Sequence, residues 1–228
     1  MTTILVYKEN GIVYLGADGS FTAGYHALQS NENKIVTLFS TLNGDDTNLM
    51  VASACSHRLA QVIEFGIKFP KPPVHKDVPP IDWYNTLRKY VITDFCTALK
   101  EGIEKLGGGD KEAPGNIDGN MILVIDNDYF VIEPDYQVAC PSTKFYAIAY
   151  SDIAIGVLEA LETHTNLKPE EKILEALRIT SKHIVACRPP FSVLRSDFVP
   201  CIIKYPNPYT NKQNCKALYT TKNARWKM

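Results

Sequence analysis

Three residues near the start of the chain are of types that together can attack and cleave an acyl bond. Thr2 directly follows Met1, and a second residue this small lets methionine aminopeptidase remove the initiator. Removal would leave Thr2 with a hydroxyl and a free α-amine on one residue. A threonine hydroxyl is a weak nucleophile that needs an adjacent base, and the α-amine can serve. With an unperturbed pKa of about 7.7–8.0, that amine keeps a useful neutral fraction near neutral pH. Asp18 stands sixteen residues after Thr2, and Lys34 sixteen residues after Asp18. A nearby ammonium lowers the amine's pKa, and a carboxylate fixes the ammonium in place. Singly, each has a plainer reading: Met-Thr-Thr opens many chains, Asp18 suits a turn before Gly19, and Lys34 suits an exposed strand face.

The other reactive side chains form no comparable set. Cys55, Cys96, Cys140, Cys187, Cys201 and Cys215 include no CxxC pair, and all but Cys215 lie in or beside apolar stretches, as expected for reduced cysteines. Cys55 is a competing nucleophile candidate, but no Cys-His pair can be argued around it. His26, His57, His75, His164 and His183 follow no ligand pattern, and His57 reads as a contact residue. Gly107-Gly108-Gly109 follows no strand and precedes no Lys-Ser/Thr, so it is not a phosphate loop. No metal or cofactor is expected.

The elements that must position Thr2, Asp18 and Lys34 read mostly as strands. Apolar, β-branched runs cover residues 3–7, 12–17, 34–39 and 49–52, with Asn10-Gly11 as a hairpin turn between the first two, and the four suit an antiparallel meander. Helical spacing follows over about 54–66 and 83–106, the two separated by a Pro-rich segment and the second ended by the Gly-rich loop at 107–119. Strands return at 121–125, 129–132 and 145–148. Two more helices carry Ile153, Val157 and Leu161, then Ile173, Leu177 and Ile184, before a last strand at 198–203. Segregated runs of strands and helices imply an α+β fold. Two antiparallel sheets, each covered by a helix pair, give a four-layer α/β/β/α sandwich. Residues 1–205 form one domain in this reading, and 206–228, with Lys212, Lys216, Lys222, Arg225 and Lys227, a polar basic tail.

Thr2-Thr3-Ile4, then Gly16-Ala17-Asp18 with Thr22-Ala23-Gly24, then Asn33-Lys34-Ile35 at these separations resemble the proteasome β-subunit family of N-terminal-nucleophile hydrolases, whose bacterial members include the HslV peptidase. The resemblance spans residues 2–66 and about 120–186. It implies Thr2 as nucleophile with its own amine as base, Lys34 beside it, and Asp18 paired with Lys34. It also implies that the Ala52-Ser53-Ala54 stretch precedes the first helix and that the Ser53 N–H forms the oxyanion hole, at a position where the family usually has glycine. Ser151 is the best match to the serine of the family's Gly-Ser-Gly turn, although Tyr150 replaces a glycine there. The family's acid and Ser-Gly-Gly loop after the last helix have no counterpart in His183–Pro190.

The activity implied is that of a threonine endopeptidase acting on unfolded polypeptide inside stacked homo-oligomeric rings of six or seven subunits, with a partner ATPase unfoldase. A catalytically weak ring-forming homologue and a small-molecule amidase are the alternatives. Composition agrees with the first reading. The 24 basic and 25 acidic residues give a formal net charge of -1, which argues against nucleic-acid and polybasic membrane partners and permits close packing of like subunits. The chain shows no signal-peptide pattern and no apolar run of membrane-spanning length, so a cytoplasmic location is expected.

Overall fold

The Asn10-Gly11 pair has φ of 51° and 74°, the left-handed backbone that a tight two-residue hairpin requires. It joins β1 (Thr3–Glu9) to β2 (Ile12–Ala17). A short hairpin of β3 (Ser20–Ala23) and β4 (His26–Gln29) comes next, followed by β5 (Ile35–Phe39) and β6 (Leu49–Cys55). The computed structural model describes residues 2–23, 26–29, 34–41, 45, 47–150 and 152–197, with the backbone alone for 22–23 and 26–29. The strand expected at 198–203 and the tail at 206–228 lie outside the described residues.

The first helical layer begins with α1 (His57–Gln61), capped by the Ser56 hydroxyl, which accepts from the Leu59 N–H, and prolonged by a π-helical turn at Val62–Gly66. After the Pro-rich segment, α2 (Trp83–Tyr90), a π-helical turn at Val91–Phe95 and α3 (Cys96–Leu106) run end to end over the span expected as one helix. Gly107, at φ 84°, stops it. The Pro-rich segment is tied to this layer: Phe69 stacks on Phe95 at 4.4 Å, and the Tyr90 hydroxyl donates to the Pro70 carbonyl at 2.6 Å. Then come β7 (Gly119–Ile125), β8 (Asp128–Ile132), β9 (Val138–Ala139) and β10 (Phe145–Ala149). The second helical layer is α4 (Asp152–His164) and α5 (Pro169–His183), followed by β11 (Ser192–Arg195).

Among the described residues the long strands form two antiparallel sheets, ordered β10-β1-β2-β11 and β5-β6-β7-β8-β9. The first four apolar runs are therefore not one meander: two pairs of strands fall in different sheets, with the β3–β4 hairpin between them in sequence. The physical reason is that every strand of these pairs must bury both faces. Ile4, Val6, Val13 and Leu15 meet Met50, Ala52, Ile122 and Val124 between the sheets. On the opposite face, Leu5, Tyr7 and Tyr14 pack on Leu158, Ile173 and Leu177 of α4 and α5. Leu49, Val51, Leu123 and Phe130 likewise pack on Leu59, Leu87, Phe95 and Leu99 of the first helical layer. The result is the four-layer α/β/β/α sandwich, with a period-two pattern in which both phases are apolar.

Candidate active site

Thr2 immediately precedes β1, and the register of the first sheet fixes what surrounds it. Thr3 faces Ala149 of β10 and Ile4 faces Ala17 of β2, so the ends of all three strands meet at Thr2. Lys34 reaches the same point from the other sheet, one residue before β5. The three side chains are brought together in the interior: Thr2 is 4% exposed, Asp18 2% and Lys34 6%. Neither plain reading survives, since Asp18 is no surface turn residue and Lys34 no exposed strand lysine.

The Thr2 hydroxyl donates to Asp18 Oδ1 and accepts from Lys34 Nζ, and Lys34 Nζ also donates to Asp18 Oδ1 at 2.8 Å. The Thr3 N–H adds a third donor to that oxygen at 2.9 Å. Burial pulls the Lys34 pKa below the ordinary lysine value, and the Asp18 carboxylate works against that pull. The ammonium thus sits against the hydroxyl oxygen with its desolvation partly offset by one carboxylate.

Asp18 uses its second oxygen differently. Oδ2 accepts the Ser20 N–H at 3.0 Å, the Ser20 hydroxyl at 2.5 Å, and the Arg188 N–H at 3.3 Å. The loop after α5 is therefore part of the carboxylate's support, although it carries no acid. Its close approach explains Gly19: a Cβ there would lie 2.5 Å from the Pro190 carbonyl oxygen and 2.6 Å from its Cδ. Ser20 had a signal in the sequence, because an acceptor side chain two residues before a backbone donor is a common turn arrangement. Arg188 had none, being 170 residues from Asp18.

Two of the expected site residues need separate statements. Ser53 is not in a turn before the first helix. It lies within β6 opposite Met121, and its N–H points to the Lys34 carbonyl at 3.4 Å, so it is engaged in the sheet and not presented to an oxyanion. The strand continues to Cys55 because β7 pairs with it that far, and the helix starts only after Ser56. Ser151 lies outside the described residues, as does Met1. Its neighbour Tyr150 donates its N–H to the Thr2 carbonyl at 3.4 Å, and Ala149 has φ of 66°. The backbone that favours glycine thus falls at Ala149, one residue before the position where sequence comparison finds the glycine replaced.

Phe21 and Cys55 complete the surroundings of Thr2. The Lys34 ammonium lies 5.2 Å from the centre of the Phe21 ring, and His57 meets that ring edge-on at 4.9 Å. Burial pushes the Cys55 thiol up to about 11, so it is protonated at neutral pH and a poor nucleophile.

Two facing antiparallel sheets with helices on both outer faces define the N-terminal-nucleophile hydrolase fold, and Thr2, Asp18 and Lys34 are buried together where the sheets meet. No family model matches the chain. It is 30% identical over 182 residues to the ATP-dependent protease subunit HslV of Sulfurovum sp. (strain NBC37-1), covering 78% of this chain and 88% of that protein. The chain therefore belongs to the HslV-like proteasome β-subunit family. Solved structures agree on the fold: Anbu (ancestral beta-subunit) from Yersinia bercovieri superposes with a TM-score of 0.63 at 15% identity, over 91% of this chain and 89% of its own. Eukaryotic HslV from Trypanosoma brucei gives 0.56 at 17% identity, over 85% of this chain and 98% of its own.

Proposed function

We propose that the chain is a subunit of a threonine-type endopeptidase, with Thr2 as nucleophile once Met1 is removed. The observation that carries this reading is the convergence of Lys34 Nζ and Asp18 Oδ1 on the Thr2 hydroxyl. The freed α-amine of Thr2 takes the hydroxyl proton as Oγ1 attacks the peptide carbonyl. The Lys34 ammonium stabilises the developing alkoxide, and Asp18 holds that ammonium. The amine then protonates the departing peptide nitrogen, leaving an acyl ester on Thr2. Water, deprotonated by the same amine, hydrolyses the ester and restores the threonine.

The substrate is unfolded polypeptide, and the working form is a closed ring of like subunits in the cytoplasm, fed by an ATPase. Support comes from the similarity to a protein named as an ATP-dependent protease subunit, and from Phe65, Ile81 and Ile92. These are 80%, 87% and 44% exposed on the α1–α3 layer and the segment leading into it, an arrangement that favours burial against neighbouring subunits. No helix among the described residues is long and apolar enough to cross a membrane.

Intact mass spectrometry tests the reading. Purified protein is expected to lack Met1 and to take one covalent adduct from a peptide epoxyketone, which needs both hydroxyl and free amine. The adduct is expected to vanish in Thr2→Ala. Retention of Met1 in the assembled protein would end the proposal.

A further inference from the structure

The end of α5 reaches the site through Arg188. The backbone of this residue pairs in both directions with the segment that carries the carboxylate: its N–H donates to Asp18 Oδ2 at 3.3 Å, and its carbonyl accepts the Gly19 N–H at 2.8 Å. The Ser20 hydroxyl lies 2.5 Å from the Ala186 carbonyl oxygen of the same loop. This loop lies in His183–Pro190, where the family's acid and Ser-Gly-Gly loop have no counterpart. It can hold Asp18 only if it is itself held, and its own backbone contributes one turn, closed by the Cys187 N–H on the Ile184 carbonyl at 3.1 Å.

The Arg188 side chain supplies the remaining hold. Its Nε donates to the Val185 carbonyl at 3.1 Å and its Nη1 to the Ser181 carbonyl at 3.4 Å. Ser181 is in the last turn of α5, where carbonyls lack partners within the helix and a cation is favoured by the helix dipole. The planar fork spans two carbonyls four residues apart, which a lysine ammonium, a single point on a flexible stem, does not reproduce. Resting on the reading of Thr2 as nucleophile, we propose that Arg188 is a positioning residue for the reaction: its guanidinium ties the loop to the end of α5, and its backbone thereby sets the Asp18 carboxylate against Lys34 and Thr2.

Lys34 reports where Asp18 stands. The titratable groups facing its ammonium are Asp18, Cys187 of the loop and Cys55 of β6, besides the Thr2 amine once freed. Burial pushes both thiols up, so they are neutral at neutral pH, and Asp18 is the only carboxylate among these groups. A carboxylate that drifts away leaves burial to pull the Lys34 pKa lower, and the ammonium is then lost at a lower pH.

The test uses the processed, assembled protein, a fluorogenic peptide and a peptide epoxyketone over a range of pH. Arg188→Ala is expected to lower kcat about tenfold with little change in KM, less than the roughly hundredfold that a 1 Å misplacement can cost. Its activity is expected to fall on the alkaline side at a pH lower by about half a unit, a fraction of the 1–3 that a neighbouring opposite charge is worth. Arg188→Lys keeps the charge without the fork and is expected to remain at least about threefold slower than wild type. Wild-type kcat in Arg188→Ala overturns the inference, and so does full recovery in Arg188→Lys, since charge and not the fork would then matter. A slower Arg188→Ala whose alkaline limb coincides with that of wild type also overturns it, because a lower folded fraction reduces the rate without moving that limb. If Arg188→Ala does not assemble, the rate and alkaline limb of Arg188→Lys decide in the same way. Wild type that takes an epoxyketone adduct keeps Thr2 as nucleophile under each of these results. Processed wild type that takes no adduct overturns the nucleophile reading and the inference with it.

Discussion

The Thr2 hydroxyl sits where one carboxylate and one ammonium both reach it, and Asp18 achieves this by dividing its two oxygens. Oδ1 faces Thr2, Thr3 and Lys34, while Oδ2 is held by Ser20 and the Arg188 N–H. The second set carries no chemistry but fixes the plane of the carboxylate, and through it the ammonium. A hydrogen bond to a charged group is worth about 1.5–3 kcal/mol, and 1.36 kcal/mol is tenfold in rate. Ser20→Ala removes the hydroxyl but keeps the backbone donor. It is expected to slow epoxyketone addition at Thr2 by about tenfold while leaving one adduct as the end point. Addition at the wild-type rate, measured by intact mass against time, would show that the backbone donors suffice to hold Asp18.

At the scale of elements, the site depends on where strands end. β1 begins where β2 and β10 end, and the chain leaves β10 through Ala149 at φ 66°, in the left-handed region that a Cβ disfavours by about 1–2 kcal/mol. Glycine would fit without that cost but loses about 0.5–1 kcal/mol in chain entropy. Ala149→Gly is therefore expected to stabilise the protein by roughly 0.5–1 kcal/mol, a rise in Tm of about 1–4 °C for a domain of this size. A calorimetric Tm equal to or below wild type would refute the claim of strain at this turn. The opposite close approach, Gly19 against Pro190, is already filled by the residue it needs.

Across the whole molecule, the layers are joined by apolar cores and, at one edge, by charge. Glu162 of α4 bonds Lys144 just before β10, Lys172 of α5 at 2.6 Å, and the Tyr7 hydroxyl of β1. Lys144, then Lys172, then Tyr7 pull the Glu162 carboxyl down to about 2. A carboxyl depressed on folding contributes stability that is fully present above its unfolded pKa, near 4.3, and is lost as pH falls towards the folded value. About 30% of the Glu162 side chain meets solvent, which screens the effect. Glu162→Gln is thus expected to cost about 1–2 kcal/mol at pH 7, with the difference from wild type shrinking between about pH 4.5 and 2. Parallel unfolding curves down to pH 2 would show that the cluster does not hold the helical layer to the sheet.

Much of the fold is legible in the sequence itself. Segregated runs of strands and helices point to two antiparallel sheets, each covered by a helix pair, whereas the division of the first four strands between those sheets is not legible. The three reactive side chains are legible as a set through the resemblance to the β-subunit family, since each alone reads equally well as an ordinary turn or strand residue. Tertiary structure alone decided the rest. Whether Ser53 lies in a turn or a strand depended on how far β7 pairs with β6, a long-range ladder that local sequence does not record. The Arg188 N–H reaches Asp18 only because α5 returns the chain to the first strands. The Phe21 ring stands between the Lys34 ammonium and His57 only because the chain brings α1 back against the start of β3. Periodicity settles which face of an element is buried, whereas the distances that make a site are set by contacts between residues far apart in the chain.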